Sequence, residues 1–245
     1  MSPMNNFNTL AKQLLVEFDA DVKKIGIFPG AFKPPHIGHF VTALKAVDTN
    51  DIIYIYVSNK SRDVQVVDSK PVDILKPGKE SGTCDSSRYK NLVTNSSKRT
   101  KFTDKLLSVR PAMCSRMSSA TAVRTAIATQ DKQTVMQNIP PVAFENLGEE
   151  GLEMYEGKEC LTDQERDSVF NILRDSHQTY SISSEQSMNI WAIYKAGLER
   201  LTGGKKQINI SLVRGSPVKE TYDLVDNINN SDTASNTAIN LYVGV

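Results

Sequence analysis

Histidine occurs three times in 245 residues, and two of the three, His36 and His39, fall within the stretch GAFKPPHIGHF at 30–40. Lys33 precedes them, Pro34 and Pro35 stiffen the approach, and Gly38 between them lets a ligand come close to the backbone. Two imidazoles at i and i+3 share one side of a helix start, where free backbone N–H groups already favour anions. Paired imidazoles, a mobile ammonium and an accessible backbone suit a polyphosphate whose charge shifts between oxygens, the main demand of phosphoryl and nucleotidyl transfer. The same histidines would also serve merely to cap a helix. A second stretch, Ser119-Ala120-Thr121-Ala122-Val123-Arg124, sets two hydroxyls and a guanidinium at the head of another helix. Alone, it reads as an ordinary helix N-cap.

The flanking patterns say which elements must hold these groups. Residues 24–28 (KIGIF) read as a short buried strand, 38–47 as a helix with Phe40, Leu44 and Val47 at helical spacing, and 51–57 (DIIYIYV) as a second strand. Strand, loop, helix, strand is a βαβ unit and implies a parallel sheet, whose ligands bind at the carboxyl ends of the strands. Residues 7–18 suggest an amphipathic helix before it. The breaker-rich stretch 58–117 reads mainly as loop, with a strand near 106–109. Beyond it, 119–128 is helical, a short helix ends at Pro140-Pro141, and the acidic, glycine-containing residues 145–158 read as a surface excursion. Thr162 with Glu165, and Ser183 with Gln186, make capping boxes for two amphipathic helices. Ile208, Ile210 and Leu212 alternate as a strand, Ser216-Pro217 opens a helix, and 238–243 is a final strand.

Composition narrows the partners. Lys and Arg total 29 against 28 Asp and Glu, a formal charge of +1, so no global charge recruits nucleic acid or an anionic membrane, and an anion site must be local. The odd set Cys84, Cys114 and Cys160 fits neither a disulfide framework nor a zinc site. There is no signal-peptide pattern and no apolar run of membrane-spanning length, which together suggest a cytoplasmic protein. Walker-type phosphate loops fail on spacing, since Asp73 stands where the first glycine before Gly78-Lys79 is needed. The basic run Lys98-Arg99-x-Lys101 lacks interleaved aromatics and reads as a solvated face.

GIFPGAFKPPHIGH resembles the first signature of the HxGH nucleotidylyltransferases, and its FKPPHxGH form is most similar to adenylyl- or cytidylyltransferases of tailed bacteriophages. The resemblance implies an α/β fold, a Rossmann-like parallel sheet flanked by helices. It also implies catalytic roles for His36, His39 and Lys33 at the α-phosphate, with Gly30, Phe32 and Gly38 contacting the nucleotide. Residues 119–124 resemble the family's ISSTxIR element, implying that Ser119, Thr121 and Arg124 hold the β- and γ-phosphates; Ala120 replaces a serine, and Ser118 stands where an apolar residue is usual. Asp85-Ser86-Ser87-Arg88-Tyr89 resembles a segment that brings an arginine, here Arg88, near the triphosphate.

The order of blocks departs from the family. Residues 1–63 carry the first βαβ unit, 64–84 a linker, and 85–180 the second signature with what resembles the closing helix. Residues 181–245 then resemble the family's middle αβαβ block. Either that block is an appended module or it has moved and still fills its usual place in the sheet. The second is favoured, because 58–117 cannot supply the missing core strands and loop closure over such lengths costs only ~0.6 kcal/mol per doubling. One nucleotidylyltransferase-like domain over 1–245 is therefore expected. The implied activity transfers a nucleoside monophosphate from ATP or CTP to a small phosphorylated acceptor and releases pyrophosphate, with Mg2+ held mainly by the phosphates and no metal site of the chain's own. The alternative is a nucleotide-binding or virion-associated protein that keeps the fold without turnover. No membrane or nucleic-acid partner is expected, and a homo-oligomer is compatible with the sequence.

Overall fold

The computed structural model describes residues 22–64, 86–94, 99–112, 118–146 and 148–242. The helix expected at 7–18, most of the 64–84 linker, Asp85, Lys98, Cys84 and Cys114 lie outside them.

Strand β1 (Lys23–Gly30), helix α1 (Ile37–Thr49) and strand β2 (Ile52–Ser58) form the expected βαβ unit, with β1 and β2 parallel from the pair Ile25 and Ile52 to the pair Gly30 and Val57. A two-residue strand β3 (Arg62–Asp63) follows, and β4 (Ser108–Pro111) lies where the sequence suggests a strand. Helices α2 (Ala120–Ala128), α3 (Lys132–Gln137) and α4 (Asp163–Thr179) come next. The short strand β5 (Ser181–Ile182), helix α5 (Ser184–Thr202), strand β6 (Gln207–Val213), helix α6 (Pro217–Asn229) and strand β7 (Thr237–Leu241) complete the described chain. Both capping boxes form: Thr162 Oγ1 accepts from Glu165 N at 3.1 Å and Ser183 Oγ from Gln186 N at 3.1 Å.

Five strands make one parallel sheet in the order β4-β7-β1-β2-β6. Strands from the carboxyl-terminal block are interleaved with the earlier ones: β6 lies against β2, and β7 sits between β1 and β4. Alternation along the strands divides the core in two. Phe28, Ile53, Ile55, Val57 and Ile208 face α1 and α5, meeting Phe40, Leu44, Trp191, Tyr194 and Leu198. Ile25, Ile27, Tyr56, Val109, Ile239 and Leu241 face the other way, toward Val225 of α6 and the buried Tyr89, Leu92 and Leu106. A parallel sheet covered on both faces explains why β1 and β2 read as near-continuous apolar runs.

The excursion expected at 145–158 is not wholly superficial. Leu152 and Tyr155 are buried in the α1-side core, and Tyr155 Oη donates to Asp48 Oδ1 at 2.7 Å. Acidic and glycine residues dominate the segment's composition, but Leu152 and Tyr155 find a place beside α1 while Met154 stays exposed.

Asn50, fully buried at the entrance to β2, ties the two halves of the sheet together. Its Nδ2 donates to Ala46 O at 2.7 Å and to Tyr242 Oη at 2.9 Å, and its Oδ1 accepts from Asn240 Nδ2 at 2.8 Å. Buried amides repay their desolvation only while paired, so Asn50→Ala is expected to cost about 2 kcal/mol of unfolding free energy. Urea titration of the two proteins checks this, and equal midpoints would contradict the role given to Asn50.

Candidate functional site

The loop after β1 owes its shape to a few residues. Phe32 adopts a left-handed backbone conformation (φ 50), which is unfavourable for a bulky residue. Its ring compensates by packing edge-on against Phe28, His39 and Trp191, with centroids 4.8, 5.0 and 5.1 Å away. The ring lies so close to Gly30 that a Cβ there would come within 2.6 Å of it. Gly30 and Phe32 thus hold the loop's shape as well as lining the cleft beyond it.

Lys33 corrects one expectation. It is only 1% exposed, and its Nζ donates to Ser183 O at 3.2 Å and Ser187 Oγ at 3.1 Å, in the first turn of α5. The ammonium is anchored rather than mobile, and burial pushes it down to about 8. Ser187 Oγ also donates to Phe32 O at 2.9 Å, so α5 grips the loop twice.

His36 is the N-cap residue of α1 and is buried, and His39 is the third residue of that helix. Their rings lie 3.8 Å apart, tilted by 34°. His39 Nδ1 accepts from the His36 backbone N–H at 3.3 Å, which leaves the proton of neutral His39 on Nε2. His36 Nδ1 is buried without a hydrogen-bond partner. Burial, then the Arg124 charge, lowers His36 to about 3; burial, then His36, holds His39 well below the usual imidazole range. Two adjacent imidazoles are therefore neutral near neutral pH.

Gly38 lies beneath this pair. A Cβ there would meet His36 Cε1 at 3.2 Å, His36 Nδ1 at 3.3 Å and the Ser118 backbone N at 3.4 Å. The last contact shows how closely the second helix start approaches the first. Asn138 joins them: its carbonyl accepts from Ile37 N at 2.8 Å, and its Oδ1 accepts from Ser118 Oγ. Ser119 caps α2, accepting from Thr121 N at 3.2 Å. Arg124 completes the link, donating from Nη1 to Lys33 O at 2.8 Å and from Nη2 to Thr121 Oγ1 at 2.9 Å.

The two helix starts open on one cleft of about 410 Å3 beyond the carboxyl end of β1. Gly30, Phe32, Lys33, His36, His39, Ser119, Thr121 and Arg124 all line it. Gly38 lies under its wall. Arg88 does not line it: the residue is exposed, and its carbonyl accepts from Tyr222 Oη of α6 at 3.1 Å.

Arg62 is a lining residue that the sequence reading missed. It sits on β3, which pairs antiparallel with β5, and its charge contributes with burial to lowering Arg124. A signal was present: Arg62 follows β2 closely, on the strand-end side where parallel sheets bind ligands. Among the described residues, no Asp or Glu lines the cleft and no group of three His, Cys, Asp or Glu side chains could hold a metal. These residues do not themselves fit a magnesium ion. Among the described residues no helix is long and apolar enough to cross a membrane.

Comparison of the chain with family models, with curated proteins and with solved structures gives no match.

The buried imidazole makes acid stability a test of this geometry. An unfolded imidazole binds its proton near 6.5, whereas His36 in the fold does so only near about 3. Between those values the unfolded chain holds the extra proton, so the His36 contribution is complete above 6.5 and declines as the pH falls toward 3. Unfolding free energy is expected to fall by up to about 1.4 kcal/mol per pH unit from this group between about pH 6 and 5. His36→Asn, which places a good N-capping side chain at the start of α1, should lose that slope in denaturant titrations; an unchanged slope would contradict the neutral, buried His36.

Proposed function

We propose that the chain is a nucleotidylyltransferase, moving a nucleoside monophosphate from ATP or CTP to a small phosphorylated acceptor. The observation that carries this reading is the cleft shared by the starts of α1 and α2, lined among the described residues by cationic, imidazole and hydroxyl groups without a carboxylate. The unpartnered Nδ1 of buried His36 supports it, because such a group at a helix start is best satisfied by a ligand. The resemblance of 30–40 and 119–124 to the two signatures of the HxGH nucleotidylyltransferases, and of the five-stranded parallel sheet to a Rossmann-like fold, supports it further.

In this reading the triphosphate spans the cleft. Ser119, Thr121 and the free N–H groups of α2 hold the β- and γ-phosphates, and Arg124 neutralises them. His36 and His39 face the α-phosphate. An oxygen of the acceptor phosphate attacks the α-phosphorus, the bond from that phosphorus to the oxygen bridging to the β-phosphorus breaks, and pyrophosphate departs with the bond electrons. The acceptor is already ionised, so no general base is required. Magnesium held by the nucleotide's own phosphates would supply additional neutralisation, the described cleft residues offering it no carboxylate ligand. Lys33 acts as a positioning residue, anchoring the loop to α5.

The anchoring of Lys33 away from mobile contact, and the position of Arg88, favour a second reading in which the cleft binds a nucleotide without turnover. Pyrophosphate release from ATP and CTP with a panel of phosphorylated acceptors separates the two. Under the first reading wild type releases pyrophosphate, and His39→Ala lowers the rate by at least about 100-fold with a preserved thermal melt. Wild-type turnover in His39→Ala would overturn the catalytic role of His39. Tight nucleotide binding with no release by wild type would favour the second reading.

A further inference from the structure

At the opposite end of α2 lies another cleft, of about 320 Å3, between the carboxyl end of α2, the start of α3 and the last turns of α4. Its walls are apolar, with Ile127, Val135 and Phe170, and its remaining lining carries Lys132, Arg174 and His177. Among the described residues, no Asp or Glu lines it. The nearby carboxylates are otherwise engaged or weakly placed. Asp131 caps α3, accepting from Thr134 N at 3.0 Å and Thr134 Oγ1 at 2.6 Å. Asp175 is the sequence neighbour of Arg174 and lies 3.4 Å from its Nη2, with both side chains more than half exposed, where such a pair contributes little.

The other polar groups are ordered. Lys132 Nζ stands over the Phe170 ring, 5.3 Å from its centroid, beside the apolar wall. Gln130 Nε2 lies 3.2 Å from His177 Nε2, which pairs the amide with the ring. Apolar walls with two permanent cations and no carboxylate are complementary to one kind of small molecule, a flat or branched apolar body bearing an anionic group.

We infer that this cleft is a second ligand site, separate from the phosphate cleft, for a small amphipathic anion about the size of a naphthalene carboxylate. The apolar body lies against Ile127, Val135 and Phe170, and the anionic group meets Lys132 and Arg174. Helix α2 connects the two sites, with Ser119 and Thr121 at one end and Ile127 at the other. A ligand bound here therefore touches the helix that shapes the phosphate cleft.

The test uses 1-naphthoate and its uncharged isostere 1-naphthamide in isothermal titration calorimetry with the full chain. Saturable binding of naphthoate with unit stoichiometry is expected, the amide binding weaker by about tenfold or more. Lys132→Glu combined with Arg174→Glu, both at exposed positions, should weaken naphthoate by a similar factor of about ten while the melt stays cooperative. Should that pair fail to fold, Lys132→Gln with Arg174→Gln gives the same comparison. Excess inorganic tripolyphosphate should leave naphthoate bound. Equal binding of acid and amide, wild-type affinity in the charge variants, displacement by tripolyphosphate, or no saturable binding at the solubility limit would each overturn the assignment. None of these readouts depends on nucleotidyl transfer, so the outcome is independent of the function proposed for the other cleft.

Discussion

The amino ends of α1 and α2 each carry about half a positive elementary charge, and basic side chains surround both. Left alone they would repel, yet the fold holds them facing one space. The restraint is a small set of hydrogen bonds: Ile37 N and Ser118 Oγ to the two oxygens of Asn138, and Arg124 to the Lys33 carbonyl and Thr121. Positive charge concentrated by such a clamp is a standing attraction for a polyanion. Everything proposed for the cleft depends on that enforced proximity.

Several features follow from it. A cationic cleft can keep two imidazoles in contact only if they are uncharged, and burial of His36 and His39 achieves this. A polyphosphate reverses the balance, since its charge favours protonated imidazole just where burial opposed it. Lys33 shows the same economy of charge: its ammonium is directed out of the crowd into the first turn of α5, where Ser183 and Ser187 receive it. The aromatic cluster of Phe28, Phe32 and Trp191 then fixes the loop from below, and the strained backbone of Phe32 persists because that packing outweighs it.

Much of this is legible in the sequence. The apolar runs at 25–28 and 52–57, the capping boxes at Thr162 and Ser183, and the two stretches rich in imidazole and hydroxyl are local patterns, and local physics forms them. Where the sequence fell short, the determinant was distant in the chain. Burial of Lys33 needs Ser183 and Ser187, 150 and 154 positions away. Arg62 reaches the cleft through a two-residue pairing of β3 with Ser181 and Ile182 that has no periodicity to detect. Asn138 looks like an ordinary polar residue before Pro140 until Ile37 and Ser118 are seen against it. Tyr155 is hidden in an acidic segment because its partner is Asp48 of α1. The interleaving of β6 and β7 with the earlier strands is a compromise between these cases: strand content is local, but the neighbours are chosen by the whole sheet.

The most direct measurement is a crystal structure of the chain with the α,β-methylene analogue of ATP or CTP, whichever binds more tightly, in the presence of magnesium. The α-phosphate is expected against His36 and His39, and the β- and γ-phosphates at the first turn of α2 beside Thr121 and Arg124. A nucleotide bound elsewhere, or phosphates touching one helix start and not the other, would contradict it.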